Sequence, residues 1–197
     1  MAATPSQMLS IGTPLPTFSL PDVRDPHLRR VFASSDLSGR PAVIAFICNH
    51  CPYVKHIRKD LAAFGRECAE LGVGMVAISS NDVDAYPADG PGPMAEEARA
   101  NGYTFPYLFD ADQAVARQFR AACTPDFYLF DATGRLAYRG QFDDSRPSNG
   151  KPVTGHDLRT ARDAVLSGQA PSSDQRPSIG CNIKWKPGTE PDYFPAH

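Results

Sequence analysis

The spacing of apolar residues changes along the chain, and each change marks a new element. Residues 42–47 (Ala-Val-Ile-Ala-Phe-Ile) are an unbroken apolar run, short and β-branched enough to predict a strand buried on both faces, at home inside a parallel sheet. After Pro52 the spacing becomes three or four. Val54, Ile57, Leu61, Phe64, Cys68 and Leu71 fall on one stripe of an amphipathic helix, with Gly72 and Gly74 as its stop. Pro52 stands in the first turn, where its missing N–H costs nothing. Residues 73–78 predict a second buried strand, 79–93 a polar loop rich in Gly and Pro, and 94–100 a short helix halted by Asn101-Gly102. A short strand at 107–109, a helix over 113–121 and a hairpin of strands at 127–130 and 136–141 follow. Residues 157–166 predict a last amphipathic helix, stopped by Gly168, while the first forty residues read as short edge strands and loops. Strands and helices alternate before the hairpin, so the fold class is α/β with a mixed central sheet flanked by helices.

The tail, 169–197, is rich in Pro and Gly but carries Ile183, Trp185, Tyr193 and Phe194, too many large apolar groups for a free segment. It is expected to dock on the domain formed by residues 1–168. A chain of 197 residues is long enough to bury a core without disulfide staples. Its 20 basic and 22 acidic residues nearly cancel, which argues against a nucleic-acid partner. No apolar run is long enough to span a membrane, and residues 1–10 show no basic start or apolar stretch of a secretory signal, so the expected location is cytoplasmic.

Five cysteines, at 48, 51, 68, 123 and 181, are odd in number, so at least one lacks a partner within the chain. In a reducing compartment a close pair reads first as redox-catalytic or metal-binding. Cys48 and Cys51 lie at the junction of a buried strand and a helix, where backbone N–H groups and the helix dipole stabilise a thiolate and lower its pKa from about 8.5 toward 3.5–7.5. Cys48, the more N-terminal and the one expected to be more exposed, reads as the attacking thiolate, and Cys51 as the thiol that resolves the mixed disulfide. His50 can add positive charge beside Cys48. A zinc half-site and two packed core thiols are the alternatives, although zinc needs a second ligand pair and the other cysteines are single.

Strand, Cys-x-x-Cys and helix in this order resemble the thioredoxin fold. The opening Gly12-Thr-Pro-Leu-Pro16-Thr-Phe18-Ser-Leu20-Pro21-Asp22 resembles that of the AhpC/TSA (redoxin, peroxiredoxin-like) branch. The runs Phe46-Ile-Cys48-Asn-His-Cys51-Pro52-Tyr53-Val54 and Ser178-Ile-Gly-Cys181-Asn-Ile-Lys-Trp185-Lys are similar to a cytoplasmic subgroup of it. The resemblance implies a β-α insertion over 79–108 and a cis proline at Thr124-Pro125 facing the cysteine pair, with the Thr124 backbone binding an extended substrate strand. It implies a thiol-disulfide oxidoreductase without bound cofactor or metal, acting on a thiol or disulfide substrate and recycled by a reductant such as thioredoxin or glutathione. A peroxiredoxin-like peroxidase and a non-catalytic binding module are the other readings.

The chain departs from the family pattern in places. A buried acid for Cys51 is missing: Ala42 and Val54 stand where related proteins carry one, leaving His50 or water as base. Ile47 replaces the tryptophan before the motif. No Thr or Ser stands three residues before either cysteine, so the peroxide-orienting hydroxyl is not supplied from there. Cys68, on the apolar stripe, reads as a core residue. Cys123 can approach the pair as a third redox thiol or simply pack, and Cys181 can pair with Cys123, protect the site or serve as a buried structural thiol. His56 reads as surface, Asp143-Asp144 as a cation site or a solvated turn, and Tyr86-Pro87 with the residues to Pro93 as a lid or a mobile loop.

Overall fold

The computed structural model describes residues 3–194. In chain order the strands are β1 (Ala3–Pro5), β2 (Ser19–Pro21), β3 (Val31–Ala33), β4 (Ala42–Phe46), β5 (Gly74–Ser79), β6 (Tyr107–Phe109), β7 (Cys123–Thr124), β8 (Asp126–Phe130), β9 (Leu136–Gly140) and β10 (Ile179–Asn182). The helices are α1 (Pro52–Glu70), α2 (Pro91–Asn101), α3 (Ala114–Gln118) and α4 (His156–Leu166).

Every residue of β4 is buried, and the strand is the middle of a five-stranded sheet in the order β6-β5-β4-β8-β9. β4, β5 and β6 run parallel, while β8 and β9 run antiparallel to their neighbours. Side chains alternate across a strand, so β4 feeds two cores. Val43 and Ala45 pack with Leu61 and Phe64 of α1, Met94 of α2 and Leu158 of α4. Ile44 and Phe46 pack with Val115 and Phe119 around α3, and with Ile183 and Trp185 of the tail. This is the thioredoxin-like α/β arrangement, a mixed central sheet flanked by helices.

Three local differences from the sequence expectation have simple causes. α2 starts at Pro91 because Pro91 and Pro93 fit a first turn that needs no N–H donors. α3 is only five residues long, bounded by left-handed Gln113 (φ 62°) and Arg120 (φ 50°). Leu71 caps α1 and is 48% exposed, so the buried stripe ends at Cys68.

A second, three-stranded sheet, β1-β10-β7, has no counterpart in the sequence reading. The tail strand β10 lies between β1 and β7, antiparallel to both, with Cys181 opposite Ala3 on one side and Thr124 on the other. Beyond it the tail is held by Gln113, whose amide donates to the Lys184 carbonyl at 2.8 Å and accepts the Lys186 N–H at 2.9 Å.

Candidate active site

β4 ends at Phe46 and delivers Cys48 into the loop ahead of α1, and Cys51 is the N-cap of that helix. The Thr124–Pro125 peptide bond is cis, and Thr124 meets both sulfurs. Its Oγ1 lies 3.3 Å from Cys48 Sγ, and its carbonyl accepts the Cys51 thiol at 3.1 Å. Cys48 is 1% and Cys51 0% exposed, so Cys48 is as closed as its partner and not the exposed thiol expected. β10 occupies the ladder beside Thr124. The same observation corrects the expected open docking edge, because the chain's own tail fills it.

Strand register decides what the other thiols do. Residues directly opposite in an antiparallel pair share a face, and successive residues take opposite faces. Cys181, opposite Thr124, therefore lies on the sulfur side, close enough to Cys51 for each thiol to shift the other. Cys123, opposite Asn182, lies on the other face, and its thiol points at the carbonyls of Pro125 (3.7 Å) and Ser178 (4.0 Å). The third thiol at the pair is thus Cys181 and not Cys123, and the two cannot face one another in this ladder. Cys68 is buried on α1, and desolvation pushes its thiol up to about 12.

Asp89, which sequence reasoning missed, organises the Cys-x-x-Cys loop. It is fully buried and accepts the N–H groups of Asn49 (2.8 Å) and His50 (3.2 Å), the Asn81 amide (2.8 Å) and His50 Nδ1 (2.6 Å). Burial works to raise its pKa, but these bonds outweigh it, and the carboxyl stays below its ordinary value. His50 also stacks on Tyr86 with ring centroids 5.2 Å apart, so the loop of residues 79–93 is packed over the site. His50 Nδ1 is 3.9 Å from Cys48 Sγ, yet its partner is Asp89. The expected positive charge beside Cys48 is therefore offset by an acid.

The charge distribution follows. Cys48 is raised well above the usual thiol value because it donates to Cys51, is desolvated and faces Asp89, with the Thr124 hydroxyl working against these. Cys51 is lowered by the neighbouring Cys181 and Cys48 thiols and by the Val54 N–H, against the cost of burial. In this closed arrangement Cys51 is the more acidic of the two thiols and Cys48 the less acidic. Cys48, His50 and Asp89 also present donor atoms within 4.8 Å of one another. The 2.6 Å His50–Asp89 bond already commits the imidazole nitrogen that faces Cys48.

The remaining candidates have structural partners. His56 Nε2 meets the Ser145 hydroxyl at 3.2 Å. Asp143 is buried and accepts the N–H groups of Ser145, Thr154 and Gly155, whereas exposed Asp144 pairs with Lys151.

Comparison with known proteins agrees with this architecture. A crystal structure of an uncharacterized conserved protein from Geobacillus kaustophilus is similar with a TM-score of 0.91 and 49% identity, over 95% of this chain and 98% of that one. The thiol:disulfide interchange protein DsbE of Pseudomonas aeruginosa is 30% identical over 140 residues, 68% of this chain and 69% of that protein. The thiol-disulfide oxidoreductase YkuV of Bacillus subtilis is 27% identical over 52% of this chain and 67% of its own length. A thioredoxin family protein of Chlorobium tepidum, at 19% identity and a TM-score of 0.61 over 80% of this chain and 99% of that one, shares the fold. Residues 11–139 match the AhpC/TSA family, and the chain belongs to that family.

Proposed function

We propose that the protein is a thiol-disulfide oxidoreductase that exchanges disulfides through Cys48 and Cys51. The observation that carries the reading is the engagement of both sulfurs by one residue, Thr124, on the strand edge that an extended peptide would pair with. Relatives named for thiol:disulfide interchange support it.

In the reductive direction the Cys48 thiolate attacks one sulfur of a substrate disulfide, whose S–S bond breaks and whose other sulfur leaves as a thiolate. Cys51 then attacks Cys48 Sγ in the mixed disulfide, closing the Cys48–Cys51 bond and releasing the second substrate thiolate. The substrate gains two electrons, and a recycling reductant such as thioredoxin or glutathione returns them. Because β10 already pairs with Thr124, it must leave that edge before a peptide can pair there. Its departure also takes Cys181 from Cys51, which removes the largest influence holding the Cys51 thiol acidic. We place this activity in the cytoplasm, where a close cysteine pair reads as redox-catalytic before structural.

Reduction of insulin disulfides by dithiothreitol is the test. The protein is expected to accelerate it, and Cys48→Ser to return it to the rate of dithiothreitol alone. Undiminished activity in that variant overturns the assignment.

One observation favours a second reading, a hydroperoxide-reducing thiol peroxidase. The Thr124 hydroxyl 3.3 Å from Cys48 supplies from another strand what the residues before the cysteine do not. Against it stands Asp89, which disfavours the Cys48 thiolate that peroxide chemistry needs. Stopped-flow oxidation by hydrogen peroxide no faster than that of free cysteine excludes this reading.

A further inference from the structure

β10 carries a cysteine to the position a substrate cysteine would take. Cys181 stands opposite Thr124 in the ladder, and Thr124 is the residue whose carbonyl meets Cys51 at 3.1 Å and whose hydroxyl lies 3.3 Å from Cys48. The close approach is built into the backbone. A side-chain carbon on Gly180 would lie 1.9 Å from the Thr124 carbonyl oxygen, so only glycine lets this strand sit here. The strand is held on its far side by β1. Beyond its end, the Lys184 N–H donates to Asn81 Oδ1 at 2.8 Å, and Asn81 in turn donates to Asp89. The tail and the Cys-x-x-Cys loop are thus tied to one acid. The other thiols do not compete: Cys123 faces the opposite side of the ladder, and Cys68 sits on α1 beside Arg162.

We propose that Cys181 is a third redox thiol, which takes over the Cys48–Cys51 disulfide as Cys51–Cys181 and so locks the tail strand on the substrate edge. This rests on the exchange reading above and adds a step to it. The Cys181 thiolate attacks Cys51 Sγ, the Cys48–Cys51 bond breaks, and the Cys51–Cys181 bond forms. Cys48 departs as a thiolate and takes up the proton that Cys181 gave, so no electron enters or leaves the chain. The oxidised protein then has two isomers. One carries the Cys48–Cys51 bond with a tail free to leave, and the other carries a bolted tail that excludes further disulfide substrate until a dithiol reduces it. The tail is an internal substrate, and its covalent state gates the site.

The experiment is stoichiometric oxidation of the full chain with diamide, followed by acid quench, blocking of free thiols with N-ethylmaleimide, and tryptic peptide mapping without reduction. Wild type is expected to yield the peptide bearing Cys48 and Cys51 linked to the peptide bearing Cys181, with Cys48 blocked. In Cys48→Ser this cross-link becomes the main product. In Cys181→Ala, or in Cys181→Ser should the first variant fold poorly, the cross-link is lost and only Cys48–Cys51 forms. The proposal is overturned if wild type yields only Cys48–Cys51, or if Cys48→Ser oxidises to Cys51-linked dimers or to a Cys51–Cys123 link. The absence of Cys48–Cys51 in both wild type and the Cys181 variants brings down the exchange reading itself, which separates the two failures.

Discussion

The two faces of the short ladder between β7 and β10 hold similar residues in different chemical states. One face presents Cys181 to Cys51, with Cys48 and buried Asp89 on the far side of that sulfur's loop. The other presents Cys123, with buried Asp126 nearby. Both cysteines are buried to the same degree, at 2% and 0% exposure. Cys123 donates to backbone carbonyls, and its pKa is raised by desolvation and by Asp126, which makes it inert. Cys181 joins a sulfur cluster. The two acids differ in the same way. Asp89 has the His50 imidazole among its four donors and stays below its ordinary value, whereas Asp126 meets only hydroxyl and backbone N–H groups, and burial pushes it up to about 7. Burial alone therefore predicts neither reactivity nor charge; the kind of partner on each face does.

The largest effect on this contrast comes from the backbone. Gly180→Ala drives a methyl group into the Thr124 carbonyl and must displace β10. A stability loss of about 2–3 kcal/mol is expected, together with faster alkylation of Cys48, which is buried while the tail is docked. Cys48 as slow to alkylate as in wild type would show that the tail does not close the site.

Next comes the acid on the sulfur face. Asp89→Asn keeps an oxygen for the Asn49 and His50 N–H groups but removes the charge facing Cys48. The pH midpoint for Cys48 alkylation is expected to fall by about a unit, equivalent to roughly 1.4 kcal/mol. An unchanged midpoint would mean that Asp89 only positions the loop.

The acid on the other face tests the comparison through stability. Asp126 titrates at about 7 in the folded chain against an ordinary value of 3.8; desolvation is the cause, opposed by the Tyr128 hydroxyl and the Phe127 N–H. A raised acid binds its proton more tightly when folded. Its stabilising contribution is complete below the unfolded value and is lost as the pH climbs through 7. Asp126→Asn removes this dependence, so wild type should lose stability relative to the variant between pH 5 and pH 8 in urea unfolding. A difference that does not change with pH would contradict the assignment.

Much of this fold is legible in the residues. The apolar runs of β4 and β5 and the three-four spacing of α1 announce themselves, because burial on both faces and helix periodicity leave direct patterns. β7 and β10 do not. Two and four residues long, with Gly180 and Asn182 in the latter, they have no period to read, and their existence depends on contacts across more than fifty residues. Hence the cysteine pair was recognisable while its third partner was not: Cys123 is closer in sequence, but register turns it away. Asp89 was hidden for a related reason. It stands in a Gly/Pro-rich loop where an aspartate reads as solvated, and only the fold of residues 79–93 over His50 buries it. The one local hint is the short Pro87–Asp89 helical turn, which brings it inward.

The central claim is that Cys48 and Cys51 form a reversible redox couple. Equilibration of the Cys181→Ser chain in glutathione buffers, with the Cys48–Cys51 bond followed by mass spectrometry, tests it most directly. The account predicts one two-electron transition with a potential between those of the thioredoxin and DsbA examples, about −270 and −120 mV. Two cysteines that stay reduced across that whole range, or that oxidise only to glutathione adducts with no bond between them, would contradict it.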